Sequence, residues 1–401
     1  MLFSLPHTIP GHYRLGVSSF YFLQGIVFSS WASRIPDVKE RLHLNEAELG
    51  SLLFAIPLGQ LLALTVAGWM VARYGSRPML LLASVFYPSA LLLTGMAGQI
   101  WLLALALVLL GMGANLMNIS VNTQACGVER IYGRTIMACF HGLWSLAGFV
   151  GGVLGMCMVM AGFSPLEHFF FVFALCMMIL FGMKRSVLPR DVLPKPVLQE
   201  EDGKREKQVW VRPDRFIVLL GIIGFCGMFC EGTMYDWSGV YFADVVRPPE
   251  NLVRLGYIAC MCTMTCGRFM ADRFVTRYGP VAVLCFCGIL IAAGMLLAVC
   301  FPELIAATFG FLLVGFGISS IVPICYSLAG HSRRMQPGMA LTAVSTISFF
   351  GFLLGPPLIG FIAQGLSLRG SLAFSAFIGL GITLLMPSLR RSFGRNQGMA
   401  D

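Results

Sequence analysis

The stretch GWMVARYGSRP, residues 68–78, decides the fold because the chain repeats it: residues 272–282 read DRFVTRYGPVA. Arg73-Tyr74-Gly75 and Arg277-Tyr278-Gly279 lie about 204 residues apart. GMGANL begins at Gly111 and GFGISS at Gly315, again about 204 residues on, and Trp31 and Trp237 stand at nearly the same shift. One such match is chance. Three at nearly one offset indicate a chain built from two duplicated halves.

The surroundings of these repeats fix their solvent. The chain is 57% hydrophobic and only 12% charged over 401 residues, with mean hydropathy +0.80. A soluble domain carries about twice that charge. Apolar runs of about twenty residues match the thickness of a hydrocarbon core. They predict spans at 14–34, 47–71, 79–97, 101–124, 135–161, 166–184, 215–246, 253–272, 280–300, 304–329, 339–363 and 368–388. Helices are required because lipid leaves backbone groups unsatisfied, and no short alternating segments suggest a barrel. The seventh run is too long for one straight span, so it tilts, breaks near Gly232 or protrudes. The first begins after Arg14, is too long for a signal-peptide core and stays as a span. The reading is an all-α integral membrane fold: twelve transmembrane helices in two pseudo-symmetric six-helix bundles, 1–184 and 215–401, joined by a linker at 185–214.

Charge supports this plan. Lys184 to Arg215 is rich in proline and mixed charge, which reads as a flexible cytoplasmic linker. Twelve spans put both termini on one side. With the termini in the cytoplasm, six basic residues lie outside: Arg34, Lys39, Arg41, Arg247, Arg254 and Arg369. About 22 of the 28 remain inside, among them Arg73, Arg77, Arg130, Arg134, Arg268, Arg273, Arg277, Arg333, Arg334, Arg390 and Arg391. That asymmetry obeys the positive-inside rule and places the chain in a bacterial inner membrane, multi-pass, with both termini cytoplasmic. It also explains the net charge of +9 without nucleic acid. The 13 cysteines lie almost all in apolar runs, with no disulfide or zinc spacing, so no metal or cofactor is expected.

On these residues the chain resembles the major facilitator superfamily. The family's loop signature is similar to G-x-x-x-D-R-x-G-x-R, and Gly68, Arg73, Gly75 and Arg77 match it. The resemblance implies gating roles for these four, and for Arg277 and Asp272 in the second copy. The signature's acid is Ala72 here and Thr276 in the second copy; Asp272 stands one turn away as a substitute charge. The family's fourth-helix arginine would fall near Leu107. The runs NLMNISVNTQACGVER and EGTMYDW resemble the fucose-permease-like sugar-transporter branch, with Asn118…Asn122 where that branch has a carboxylate and Asn. The resemblance implies a solute site between the halves, near midplane, around which they rock.

Polar residues inside the spans are the site candidates, because each is costly in lipid. Asn115, Asn118 and Asn122 share one face of the fourth span, where amides suit hydroxyl-rich ligands or hold helices together. Glu231 and Asp236 are the clear carboxylates within a span: coupling sites for protons or cations, or ligand anchors, or else a structural pair or helix cap beside Gly232 for Glu231 and a hydration site at the outer end for Asp236. His141 is a proton relay or a packed histidine. Trp144 stacks on a solute or faces lipid. Gln24 and Trp31 share a face of the first span, with Arg34 binding an anion or snorkelling to the interface. Tyr326 and Ser345 add hydroxyls from the second half.

The expected function is secondary active transport of a small polar solute, a sugar or related metabolite, with proton symport open; the alternative is an efflux antiporter for drugs or metabolites. A membrane enzyme would show a clustered catalytic spacing near one interface, and none is present. A receptor or scaffold predicts a filled midplane. Solute, protons and lipid are the expected partners of a monomer.

Overall fold

The structure is a computed structural model that describes residues 9–133, 136–191, 213–330, 332, 335 and 337–397. Arg134, Arg333, Arg334 and most of the expected linker, 192–212, lie outside the described residues. The first half holds α1 (Ile9–Ser33), α2 (Ile35–Arg41), α3 (Glu46–Leu53), α4 (Ala55–Tyr74), α5 (Ser76–Met96), α6 (Ile100–Tyr132), α7 (Met137–Met160) and α8 (Pro165–Met183). The second holds α9 (Arg215–Tyr241), α10 (Leu255–Tyr278), α11 (Pro280–Cys300), α12 (Leu304–Ile318), α13 (Ile321–Gly330), α14 (Pro337–Gly365) and α15 (Leu368–Gln397). Short α2 crosses nothing; α3 continues into α4 and α12 into α13. Twelve passes remain.

Ten passes are long and apolar enough to cross a membrane, by length and composition. The other two are α1 and α10. The sequence of α10 explains its shortfall, since Arg268, Asp272, Arg273 and Arg277 all lie on it. Capping boxes start two passes: Asn45 with Glu48 ahead of α3, and Ser164 with Glu167 ahead of α8.

The duplication seen in sequence is structural. Gly75 ends α4 at φ 88° and Gly279 ends α10 at φ 80°, a region that favours glycine. Gly111 of α6 lies against the Ile56 carbonyl of α4, where a Cβ would approach to 2.0 Å. Gly315 of α12 meets the Cys260 carbonyl of α10 in the same way, at 2.1 Å. Each half therefore packs its second pass on its fourth by the same backbone contact.

The seventh pass does not break at its glycine. Helix α9 runs unbroken through Gly232 and adds one π-helical turn, Phe242–Val246, ended by Arg247 at φ 50°. At the opposite face the chain leaves α8 and turns back under the first bundle. Ser186, Val187 and Leu188 are buried there. Gln124 grips Leu188 from both sides, its Oε1 accepting the Leu188 N–H at 2.7 Å and its Nε2 donating to the Leu188 carbonyl at 3.2 Å. Asp191 accepts the Ser76 N–H at 2.9 Å at the start of α5, and also the Ser76 hydroxyl. We call this the linker face; α2 and the π turn mark the far face.

Candidate functional site

Arg268 lies thirteen residues into α10, about 20 Å along the helix at ~1.5 Å per residue. That depth puts it inside the span, not with the basic residues of the linker face among which the charge count places it. Its Nη2 donates to Glu231 Oε1 on α9 at 2.9 Å, and its Nη1 donates to Ser145 Oγ on α7. The guanidinium also sits 5.7 Å from the Trp144 ring centroid. One side chain thus joins the second bundle to the first. Tyr235 donates to the same Glu231 oxygen at 2.5 Å, and its ring stands edge-on to Phe28 of α1 at 5.1 Å. The second oxygen of Glu231 takes no bond from any described residue.

The first bundle supplies the facing wall. Asn122 Nδ2 donates to Asn118 Oδ1 at 2.9 Å, and Tyr21 donates to Asn122 Oδ1 at 2.7 Å. His141 meets the Tyr21 ring edge-on at 5.4 Å and lies within electrostatic reach of Arg268. Asn118 is exposed although it lies well inside α6, and His141 is exposed one turn into α7. With Tyr21 and Arg268 beside His141, that exposed surface belongs to a cleft between the bundles.

The other candidates are placed unequally. Gln24 is buried on α1. Trp31 is buried, and among the described residues neither its Nε1 nor the buried Asn115 Oδ1 has a partner. Tyr326 lies within electrostatic reach of Glu231, at the cleft. Ser345 donates back to Thr342 of its own helix and offers the cleft no hydroxyl proton. Asp236 is buried and apart from the Arg268 cluster. At the linker face Arg73 and Asp272 are exposed, Gly68 touches nothing within 4 Å where a Cβ would stand, and Gly75 forms the turn. Arg77 reaches the Lys184 carbonyl at 3.4 Å, and Arg277 lies over Tyr278 at 5.4 Å. No ion pair joins these gating candidates among the described residues.

The ionic links between bundles lie on the far face instead. Asp37 of α2 accepts from Arg254 of the second half, and Lys39 of α2 donates to Asp244 of the π turn. Arg34 holds Asp37 at 3.1 Å while bonding His168 Nδ1 at 3.2 Å and the Phe163 carbonyl at 2.9 Å. At 1% exposed, Arg34 is sealed and does not snorkel. Arg254 Nε also donates to the Ser33 carbonyl at 3.3 Å. Burial pushes Lys39 down, but the bond and charge of Asp244, with Glu46, outweigh it and raise the amine above its ordinary value. Its contribution is therefore complete below the usual lysine range and lost only as pH climbs through the raised value. Gly50 of α3 and Gly360 of α14 close the same face, each backbone about where the other's Cβ would stand, near 3.0 Å. A cavity of about 460 Å³ sits among Asp37, Lys39, Glu40, Asp244, Glu250 and Arg254. Ionic and backbone contacts join the bundles at the far face, while Asn118 and His141 are exposed between that face and the linker.

Sequence reasoning missed Arg268 as a site residue, and Asp37, Lys39, Asp244 and Arg254 as a cross-bundle lock. A signal existed for Arg268 alone: a basic residue within an expected span, here four residues from the end of 253–272, demands a partner. The lock had none, because its partners come together only in three dimensions.

A sequence model described as Major Facilitator Superfamily matches residues 17–336. An uncharacterized MFS-type transporter of Yersinia pestis is 32% identical over 364 residues, covering 91% of this chain and 92% of that protein. The crystal structure of the nucleoside transporter NupG is similar with TM-score 0.70 at 13% identity, over 94% of this chain and 99% of that one. That of a D-xylose-proton symporter gives TM-score 0.72 at 14% identity, over 93% and 97%. With its twelve passes in two bundles, its doubled loop and a cleft between the halves, the chain belongs to the major facilitator superfamily of membrane transporters.

Proposed function

We propose that this transporter carries a small neutral polar solute, a sugar or related metabolite, across the bacterial inner membrane by alternating access, with the linker face in the cytoplasm. One observation carries the reading. Arg268 binds Glu231 of one bundle and Ser145 of the other within a cleft that also exposes Asn118 and His141. The cluster pairs one positive with one negative charge, so a solute of net charge would enter uncompensated in a low-dielectric site. A hydroxyl-rich solute suits it: amides and the free Glu231 oxygen accept, the guanidinium donates, and Trp144 offers a flat apolar face. The basic excess at the linker ends supports the orientation. We read 1–184 and 215–401 as the moving bundles.

The test is a thermal-shift screen of purified protein against sugars, polyols and neutral metabolites. A stabilising ligand is expected, its shift lost in Asn118→Leu while the variant's unliganded unfolding temperature stays near wild type. A panel in which only hydrophobic drugs stabilise the protein, with Asn118→Leu unaffected, replaces this reading with drug efflux.

A further inference from the structure

The two bonds of Arg268 differ in kind. Nη2 meets the Glu231 carboxylate of its own bundle at 2.9 Å, while Nη1 crosses to the Ser145 hydroxyl of the other. The first joins opposite charges, and breaking it would leave both without compensation in a site of low dielectric. The second ends on a neutral oxygen that needs nothing from Arg268. Ser145 is buried, and its own proton goes to the His141 carbonyl one turn back, at 3.1 Å. Losing Nη1 therefore strands no donor on α7. Nor does the seam between α7 and α10 depend on this bond. His141, Ser145, Gly148 and Gly152 share one face of α7 at i, i+4, i+7 and i+11. On that face Gly148 lies against Met261 of α10, where a Cβ would stand 2.2 Å from Cε, and Gly152 lies against Tyr257. Packing holds the helices together, and the hydroxyl only holds Nη1.

From the cleft the two ends of this arrangement are unequally accessible. The side chains of Arg268 and Glu231 are 19% and 12% exposed, whereas Ser145 is sealed. Nη1 and the unbonded second oxygen of Glu231 flank the Nη2–Oε1 bond, a donor beside an acceptor. Trp144 lies 5.7 Å from the guanidinium, with the Phe28 ring 5.7 Å from its own. Two neighbouring hydroxyls on a ring match that order. One accepts from Nη1, the next donates to Glu231, and the C–H face of the ring lies on Trp144.

Resting on the solute reading above, we propose that Ser145 is an internal competitor for the solute: it parks Nη1 of Arg268 in the empty cleft, and a solute with two neighbouring ring hydroxyls takes that bond over while Glu231 keeps Nη2. One acceptor replaces another, so the charge balance of the site is untouched. Ser145 then lowers the affinity for every solute that makes the exchange. A solute that lacks the accepting hydroxyl leaves Nη1 where it is and gains nothing there. Ser145 thus sets specificity without touching the solute.

Calorimetric titration of purified wild type and Ser145→Ala with D-glucose, D-galactose and D-mannose, each alongside its monodeoxy analogues, reads the competition. Alanine suits a helix, and the variant's unliganded unfolding temperature should stay near wild type. A sugar that binds wild type should bind Ser145→Ala about fivefold tighter, the effect of removing one competing hydrogen bond. Ser145→Cys, with a weaker acceptor, should fall between them. Within the deoxy series, the analogue missing the hydroxyl that takes Nη1 should bind wild type and Ser145→Ala alike. Equal or weaker binding by Ser145→Ala, or the same gain for every deoxy analogue, overturns the competition while the solute reading stands. If none of these sugars binds either protein, the ring-diol assignment and the competition fall together. The neutral-solute reading falls only if the wider screen of polyols and neutral metabolites also finds no ligand.

Discussion

Arg268 shows why side-chain shape matters more than charge at this site. Its planar fork reaches Glu231 and Ser145 at once, which a lysine's point charge cannot do. Arg268→Gln leaves Glu231 without its cation, and we expect a loss of about 2 kcal/mol in stability by thermal unfolding, with solute binding abolished. Arg268→Lys should recover part of the stability and none of the cross-bundle bond. Glycine carries a second residue-scale contrast. Gly75 needs φ 88°, so Gly75→Ala should cost about 1–2 kcal/mol. Gly68 lies mid-helix with nothing in reach of a Cβ, so Gly68→Ala should hold or gain stability, up to about 1 kcal/mol. If both changes cost the same, the backbone explanation for the doubled loop is wrong.

At the scale of elements, hydropathy and function pull against each other. The two passes that fall short of membrane apolarity are α1 and α10, which supply Tyr21, Phe28 and Arg268 around the cleft. They are less oily because their polar residues meet protein rather than lipid: Gln24, Ser29, Ser30 and Ser33 of α1 are buried, and Arg268 of α10 is paired with Glu231. The strap after α8 is a second element-level device. It returns an acid to the signature loop whose own acid is Ala72, but at the start of α5, where Asp191 satisfies the first N–H and favours the positive helix end. Asp191→Ala should destabilise the first bundle by about 1 kcal/mol and increase hydrogen exchange at Ser76 and Leu188. Exchange unchanged at both amides would show that the strap does not hold the loop.

Over the whole molecule, two ion pairs and one glycine crossing hold the far face closed. Asp244 is 39% exposed on its side chain, so the Lys39 pair contributes only about 0.5 kcal/mol after solvent screening. Arg254 is 4% exposed, and its bond to Asp37 matters more. Removing both with Asp37→Asn and Lys39→Ala should move the balance of states toward far-open by roughly tenfold, which needs only about 1.4 kcal/mol. Exchanging the charges, Lys39→Asp with Asp244→Lys, should restore closure to near the wild-type level. Spin-label distances across the far face measure both. If neither variant shifts the distribution, the lock is decorative and backbone packing at Gly50 and Gly360 closes the gate alone.

Composition, span length and the repeat at Arg73 and Arg277 were enough to set the membrane fold, because oil-soluble length and a duplicated glycine turn are written locally in the chain. They also exposed Glu231, Asp236 and the asparagines of α6 as misfits in lipid. They did not say what each misfit meets. Only the packed bundles join Glu231 to Arg268 and leave Asp236 alone, turn Ser345 onto its own helix, and bring Asp37 to Arg254 across 217 residues of chain. Periodicity reports which face a residue takes, while the partner on that face is fixed by how the helices lie against one another.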